Sequence, residues 1–348
     1  MADGSRSRLF EAEDSYEALN ELFHERGWTD GLPIMPPTEA AVARMLRATI
    51  RRPEETLGVL PPRQGEATVE RVAINAVMAG CRPEYLPVLI AAVEAVADPA
   101  FNLDGVQATT HPVAPLIIVN GPAARRLQIN SGYNCFGQGF RANAAIGRAL
   151  RLTLMNVGGG LPGAGDRATQ GSPAKYAYCI AENEDANPWQ PLQVEKGYDR
   201  GQSTVTLFGS EGPHNIQEHL SNSGEGILLT IAGAMGQAGS NNILRHGYPL
   251  LTLGPEHAAT IAADGYSKDD VKRFVWERAR YPIDRLSAEF GAELYPFNEG
   301  QGGMALICER PEDITVIVAG GSGKHSSWQP TFGHHTRPVT RLIAGDGE

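Results

Sequence analysis

Two glycine-rich stretches, each followed by a histidine, carry the residue types best suited to chemistry in this 348-residue chain. FGSEGPHN lies at 208–215 and AGGSGKHSSW at 319–328, with His214 and His325 at matching positions. Glycines let a backbone approach a ligand and point its N–H groups at an anion. A histidine just beyond them can be an acid, a base or a metal ligand. We therefore predict that His214 and His325 line one cleft as catalytic residues; the alternative is turn geometry in which each histidine caps a strand end.

Lys324 gives the second stretch the look of a nucleotide-binding loop. A Walker loop needs a glycine, four residues and then Gly-Lys-Ser/Thr. Here His325 follows Gly323 and Lys324, and Val318 stands where the first glycine belongs, so the motif fails twice. The first stretch has Pro213 in place of the lysine, so the lysine is not part of the shared pattern. We expect no nucleotide cofactor.

A polar, glycine-punctuated turn, SGYNCFGQGFRAN, enters a predicted helix and suits an anion. Asn134 and Gln138 crowd this turn, and Arg141 lies at the start of the helix, where backbone N–H groups and a guanidinium attract negative charge. The alternative is a polar surface turn. The predicted substrate-binding residues are Arg141, Asn134, Gln138, Gly209, Gly212, Gly320, Gly323, Lys324 and Ser326.

Cys135, in the same turn, is a third catalytic candidate, provided that the helix dipole lowers its pKa. Cys81 is the other candidate thiol, whereas Cys179 and Cys308 lie in apolar strands and are best explained as core residues. The four cysteines show no zinc-ribbon spacing. A thiol or redox enzyme using Cys135 or Cys81, completed by a partner protein, is therefore an alternative function.

The histidines also raise the question of a metal. His214 and His325 together would suit a divalent transition metal such as Zn or Fe. In HNIQEH, His214 and Glu218 are one helical turn apart, but His219 is rotated off that face and the motif is not HExxH. Several polar residues also precede a predicted strand in LDGVQATTHPV, which contains His111.

A glycine-rich loop at 156–176 is expected to form a wall near the cleft.

Composition narrows the class of partner. The net charge is −10, which argues against a nucleic-acid or anionic-membrane binder, since both require a basic face. The N-terminus lacks the apolar region of a signal peptide, and no apolar run approaches the length of a membrane helix. We predict a cytoplasmic protein with a small-molecule substrate.

The elements that position these residues contain an apparent internal repeat. PLIIVNGPAARRLQINSGY at 115–133 and PLLTLGPEHAATIAADGY at 249–266 both read Pro-Leu, an apolar strand, Gly-Pro, nine residues and Gly-Tyr. The proline of each Gly-Pro pair fits the first helical position. Gly132 and Gly265 are predicted to end the helices in left-handed C-caps.

The match extends beyond these units. AYCIAENED at 177–185 aligns with ALICERPED at 305–313, and TVTLFG at 204–209 aligns with TVIVAG at 315–320. Each copy then closes on one of the histidine loops. Further helices are predicted at 69–80, 84–97, 139–156, 225–238 and 267–280.

These patterns predict an α/β fold with two similar units related by a pseudo-twofold, each with a mixed sheet flanked by helices. The predicted divisions are an N-terminal helical and Pro-rich arm at 1–66, a first unit at 67–215 and a second at 216–348. The arm is expected to wrap over its own domain or over a neighbour in a homo-oligomer. We predict an enzyme that binds a small polar or anionic substrate between the units, with hydrolase or lyase chemistry that is acid–base or metal-assisted. A non-catalytic assembly subunit is a further alternative.

Overall fold

The computed structural model describes residues 7–345. The first six residues of the predicted arm and the last three of the predicted second unit lie outside this range. The helices are α1 (Tyr16–Glu25), α2 (Glu39–Leu46), α3 (Val69–Met78), α4 (Leu86–Val96), α5 (Leu103–Ala108), α6 (Pro122–Arg126), α7 (Arg141–Asn156), α8 (Leu192–Glu195), α9 (Gly224–Met235), α10 (Asn241–Arg245), α11 (Pro255–Ala263), α12 (Lys268–Arg278) and α13 (Ala288–Leu294). The strands are β1 (Thr56–Leu60), β2 (Gly65–Thr68), β3 (Ala114–Asn120), β4 (Cys179–Ala181), β5 (Thr204–Ser210), β6 (His214–Gln217), β7 (Leu250–Leu253), β8 (Arg280–Pro282), β9 (Met304–Leu306), β10 (Thr315–Val318), β11 (His325–Gln329) and β12 (Val339–Leu342).

Two four-stranded mixed sheets form the centre of the protein, as predicted, and they share one arrangement. The first sheet has the order β12-β5-β3-β4 and the second the order β6-β11-β7-β10. In each sheet the last two strands are parallel, β3 with β4 and β7 with β10. The remaining neighbours are antiparallel. The α/β class with mixed sheets flanked by helices is therefore confirmed.

The two sheets pack face to face, with helices on the outer side of each. Side chains alternate along β3, so Leu116 and Ile118 point toward the second sheet and join a cluster with Leu250 and Ile317. Ile117 points the other way, into the core formed with α3, α4 and α7. On the second sheet α9, α11 and α12 cover the outer face. The result is four layers, helix–sheet–sheet–helix.

The chain crosses between the sheets twice. β6 follows β5 but pairs with β11 in the second sheet, whereas β12 follows β11 but pairs with β5 in the first. The two crossing segments contact each other, because Ser210 pairs with Thr331 and the Glu211 N–H donates to the Pro330 carbonyl at 2.8 Å. Each sheet thus takes its edge strand from the other half of the chain, and the predicted boundary between 215 and 216 falls inside β6.

The aligned strand pairs of the predicted repeat do not lie at equivalent places in the sheets. β5 is antiparallel to β3, whereas β10 is parallel to β7. The stretch at 177–185 contains β4 of the first sheet, but 305–313 begins within β9, which forms a separate two-stranded antiparallel sheet with β8. By position in the sheet, β4 corresponds to β10 and β5 to β11. The gap-free alignment therefore paired strands that occupy different positions in the two sheets.

The predicted helix ends were right at three of four positions. Pro122 and Pro255 each lie at the first turn of a helix, after a glycine N-cap. Gly265 follows α11 with φ +89°, the left-handed conformation expected of a C-cap. Gly132 does not have this role, because α6 ends earlier and Gln128 takes the left-handed conformation instead. Burial of Leu127 and Ile129 accompanies this earlier end of the helix.

The segment from residue 7 to β2 packs against its own chain. Phe23 and Ile34 are buried with Leu152 of α7. Asp30 receives two hydrogen bonds at 2.7 Å from the Arg148 guanidinium, and the Arg148 and Asp30 side chains are only 15% and 4% exposed. This paired, buried contact fixes the Pro-rich stretch on α7.

Helix α4 is the most apolar part of the first core, with Glu94 its one charged residue. Within residues 7–345, no helix taken singly has both the length and the apolarity that a membrane crossing requires. One bent pair, Pro83–Val96 and Pro99–Ala108 at 71°, meets those criteria together by length and composition. α4 itself is buried against the first sheet.

Candidate functional site

The structure does not bring His214 and His325 together. Both lie on the antiparallel pair β6–β11, where His214 is opposite Trp328 and His325 is opposite Gln217. Because side chains alternate along a strand, this register places the two histidines on opposite faces of the pair. His214 lies beside Trp328, with ring centroids 5.6 Å apart, whereas His325 Nδ1 lies 2.9 Å from Asn215 Oδ1. One metal ion shared by His214 and His325 does not fit this arrangement.

His214 instead belongs to a cluster at the crossing of the two segments. Glu211 Oε1 lies 2.8 Å from His111 Nε2, and Glu211 Oε2 lies 3.5 Å from His214 Nε2. The ring of Phe332 stacks on His111 at 5.4 Å. The side chains of His111, Glu211 and His214 are 16%, 19% and 37% exposed. We call these three residues the His–Glu–His cluster.

The carboxylate at the centre of the cluster is held ionised. Burial alone would raise the pKa of Glu211, but hydrogen bonds and charge from His111 and His214 outweigh burial and lower that pKa to about 2. The backbone beneath Glu211 is fixed as well. Its N–H donates to Pro330, and its carbonyl accepts a hydrogen bond of 2.8 Å from the Tyr178 hydroxyl. Glu211 is therefore a negative charge in a defined place at neutral pH.

The cluster can orient an imidazole for proton transfer. A carboxylate that contacts one ring nitrogen fixes the orientation of the ring and stabilises its protonated form. His111 Nδ1 is buried without a hydrogen-bond partner among the described residues, whereas His214 is the most exposed member. Gly209, inside β5, and Gly212, in the next loop, flank Glu211 along the chain. His214 is thus the member of the cluster that a substrate can reach.

The loop at 156–176 lies beside this cluster. The Thr169 N–H donates to the Thr110 carbonyl at 2.9 Å, next to His111. A Cβ at Gly160 would lie 2.2 Å from Oε1 of the Gln107 side chain. The loop therefore runs close to α5, which carries Gln107, as well as to Thr110.

His325 belongs to a second histidine pair. Its Nε2 lies 3.0 Å from His219 Nε2, and the rings are nearly perpendicular. The sequence HNIQEH does not form the helix assumed for it, because His214 to Gln217 form β6 and His219 follows the strand. The helical spacing considered for His214 and Glu218 therefore does not apply.

Lys324 and Ser326 already have internal partners. Lys324 Nζ donates to the carbonyl oxygens of His219 and Ser221 at 3.2 and 3.4 Å, and so ties down the turn after β6. Ser326 Oγ lies 2.8 Å from Nδ1 of the buried His257. Burial lowers the pKa of His257, which keeps that ring neutral as a hydrogen-bonding core residue. These contacts favour structural roles for Lys324 and Ser326 over the predicted contact with substrate.

The backbone amides of the second glycine loop are likewise engaged within the protein. The Gly320 N–H donates to the Ser131 carbonyl, and the Gly323 N–H donates to Glu256 Oε1, both at 2.8 Å. Both glycines have positive φ, at 115° and 138°. Their glycine requirement is thus conformational, and these two N–H groups do not point at an open anion site.

The polar turn before α7 is also held by its own contacts. Asn134 is left-handed, with φ 58°, and its amide donates to the Gln138 carbonyl at 2.8 Å. The exposed Arg141 donates to the Gly80 carbonyl at 2.9 Å. Arg141 begins α7, as predicted, but its guanidinium closes a contact between helices. The turn therefore resembles the surface alternative more than a built anion site.

The thiols do not have the environment that a nucleophile requires. Cys135 is buried before α7 begins, and burial raises its pKa to about 11. Burial also raises the pKa of Cys81 well above the ordinary thiol value. The condition that the helix dipole lowers the pKa of Cys135 is thus not met, since burial dominates. All four cysteines are buried and unpaired.

No role was predicted for Glu211 from the sequence, and His111 and His219 were named without connecting His111 to Glu211 or His219 to His325. Glu211 stands inside the quoted loop FGSEGPHN, but its partner His111 lies 100 residues away in the chain. Among residues 7–345, no group of three or more His, Cys, Asp or Glu side chains is placed to hold a metal ion. Compared with protein-family models and with curated proteins, the chain matches none.

Proposed function

We propose that this protein is an enzyme that performs acid–base chemistry, of the hydrolase or lyase type, on a small polar or anionic substrate. His214 is the group that exchanges a proton with the substrate, Glu211 orients it, and His111 holds Glu211 from the other side. The observation that supports this proposal is one ionised, largely buried carboxylate in contact with two imidazoles. Of the predicted catalytic residues, this proposal retains only His214.

The class of substrate follows from the hydrogen-bonding groups of the cluster. A proton-transferring imidazole contributes about 10²–10⁴-fold to a reaction rate when it is well placed. The ring nitrogens of His111 and His214 beside a fixed carboxylate offer hydrogen bonds, which favours a polar or anionic ligand. The two strands that cross here come from opposite sheets, so the cluster lies at the junction of the two halves of the fold.

The other functions predicted from the sequence have less support. Burial of Cys135 and Cys81 disfavours thiol chemistry. Separation of His214 from His325 disfavours a metal shared by those two, so the proposed chemistry runs through the imidazole and the carboxylate. A homo-oligomer and a cytoplasmic location stay predictions. The described part of the arm packs on its own chain, which lessens the case for an assembly role.

We also propose that the two halves are an internal repeat in which the last strands are exchanged. The shared strand order and the same parallel pair in both sheets support this relation. The contact between Ser210 and Thr331 would then lie near the pseudo-twofold axis. In this relation β5 corresponds to β11, whereas the gap-free alignment paired it with β10.

The test is turnover of a panel of small carboxylates, phosphate esters, amides and hydroxy acids, with products followed by mass spectrometry. We expect a member of the panel to be converted by the wild type, and kcat to fall at least about 100-fold in His214→Gln. His335→Gln is the matched control, since His335 is exposed and outside the cluster. Equal turnover by wild type and His214→Gln would overturn the proposal.

A further inference from the structure

We propose that His219 and His325 form a binding site for a divalent transition metal ion with borderline ligand preference, such as Zn²⁺. The site lies on the face of the β6–β11 pair opposite the His–Glu–His cluster. It uses no residue of that cluster, and it stands or falls independently of the proposed enzyme activity. Three features support this site: the geometry of the two rings, the contact that orients His325, and the turn that holds His219.

The distance between the two ring nitrogens suits a shared ion. His219 Nε2 and His325 Nε2 are 3.0 Å apart. Zinc–nitrogen bonds of about 2.0–2.1 Å place two ligand nitrogens about 2.9 Å apart at a right angle and about 3.4 Å apart at a tetrahedral angle. An ion therefore fits with a movement of a few tenths of an ångström at most.

The angle between the rings also fits a shared ion. The ring centroids of His219 and His325 are 4.8 Å apart, and the rings are 86° from parallel. A head-on nitrogen–nitrogen hydrogen bond of this length would put the centroids about 5.3 Å apart. The rings are therefore tilted away from the line that joins the nitrogens, as imidazoles are when both bind one ion.

A hydrogen bond at the far ring nitrogen of His325 selects the tautomer of its neutral ring. Nδ1 of His325 lies 2.9 Å from Asn215 Oδ1, which accepts the Nδ1 hydrogen. The lone pair of His325 is then on Nε2, the atom that faces His219. Metal-binding histidines typically donate their second ring N–H to an oxygen in this way, which orients the ring and makes it a better ligand.

The turn that carries His219 is held in place by groups that are themselves not free to bind a metal. The Glu218 carboxylate accepts hydrogen bonds from the N–H groups of Leu220 and Ser221 at 2.8 and 2.9 Å. Lys324 donates to the carbonyl of His219 itself. The negative charge of Glu218 and the positive charge of Lys324 offset each other, so these two groups add no net charge beside His219.

Two protein ligands leave the other coordination positions for water or a small ligand. Both histidines are exposed, so an ion reaches them from solvent. Imidazole nitrogens suit Zn, Cu, Ni and Fe, whereas Mg and Ca prefer oxygen ligands. We therefore expect the site to select borderline transition metals and to bind them more weakly than a closed four-ligand structural site does.

The test is binding of Zn²⁺ measured by equilibrium dialysis against a competing chelator, with the Co²⁺ absorption spectrum as a second readout. The wild type is expected to hold one ion that His219→Ala and His325→Ala each weaken at least about tenfold. Asn215→Leu, which keeps both ligands, is expected to weaken binding roughly 10–100-fold. The matched control is His335→Ala, another exposed histidine, which should leave binding unchanged.

Folding is checked separately by thermal unfolding, where all four variants should match the wild type. No Zn²⁺ bound by the wild type, or unchanged affinity in either His219→Ala or His325→Ala, would overturn the proposal. Equal loss in His335→Ala would do so as well, since binding would then be a general property of surface histidines.

Discussion

Replacing Glu211 by glutamine should destabilise the protein in a way that depends on pH. Glu211→Gln keeps the shape of the side chain but removes the charge that contacts His111 and His214. The pKa of Glu211 is about 2, against an ordinary value of 4.5. A folded-state pKa below the unfolded one means that the ionised carboxylate stabilises the fold. That stabilisation is complete above about pH 4.5 and disappears as the pH falls through about 2.

The size of the effect follows from the shift in pKa. The difference between the ordinary pKa of 4.5 and the folded-state pKa of about 2 corresponds to about 3 kcal/mol as an upper bound. Glu211, His111 and His214 keep part of their surface in water, and screening there reduces the value. We therefore expect Glu211→Gln to lower the free energy of unfolding by about 1–2 kcal/mol near pH 6.

Urea unfolding at a series of pH values measures this difference directly. The gap between wild type and Glu211→Gln should shrink steadily below about pH 4.5 and vanish near pH 2. Asp185→Asn is the control, because Asp185 pairs with Arg125 at the surface and is 79% exposed. That variant should change stability by less than about 0.5 kcal/mol. A Glu211 gap that stays constant across pH would show that charge is not the cause, and would refute the reasoning.

Two further predictions concern packing and the thiols. Gly147→Ala in α7 should lower the free energy of unfolding by about 1–3 kcal/mol in urea, because a Cβ would lie 2.4 Å from the Tyr178 backbone nitrogen. A Cβ at Gly233 in α9 meets no atom within 4 Å, so Gly233→Ala should raise the free energy of unfolding by roughly 0.5–1 kcal/mol. A change of the same sign in both glycine variants would contradict this reasoning. Cys81 and Cys135 should resist a thiol reagent such as DTNB in the native protein and react after unfolding in urea. Rapid native reaction would revive the thiol alternative.

The helices were predictable because their signals are local. The helix predicted at 139–156 is α7, which spans Arg141–Asn156. The helix predicted at 69–80 is α3, which spans Val69–Met78. Apolar periodicity and N-terminal prolines or threonines act within a few residues. At the start of α2, for example, the Thr38 side chain accepts a hydrogen bond from the Ala41 N–H.

The site was less predictable because it depends on how distant strands pair. Strand register decides that His214 and His325 face opposite ways, and no local pattern specifies which strand β6 joins. Glu211 meets His111 only after the sheets have formed. Cys135 lies in a turn that looks polar in sequence, yet tertiary packing buries it. The glycine–histidine loops were a useful signal for one residue of the cluster, His214, and misleading about its partner.

The central claim is that Glu211 and His214 act as one catalytic unit. The most direct test is kcat for His214→Gln, Glu211→Gln and the double variant, on a substrate that the wild type converts. Residues that act as a unit give strongly non-additive losses. The account predicts that each single variant loses activity and that the double variant is no slower than His214→Gln alone. Losses that multiply, or a His214→Gln enzyme with wild-type kcat, would contradict it.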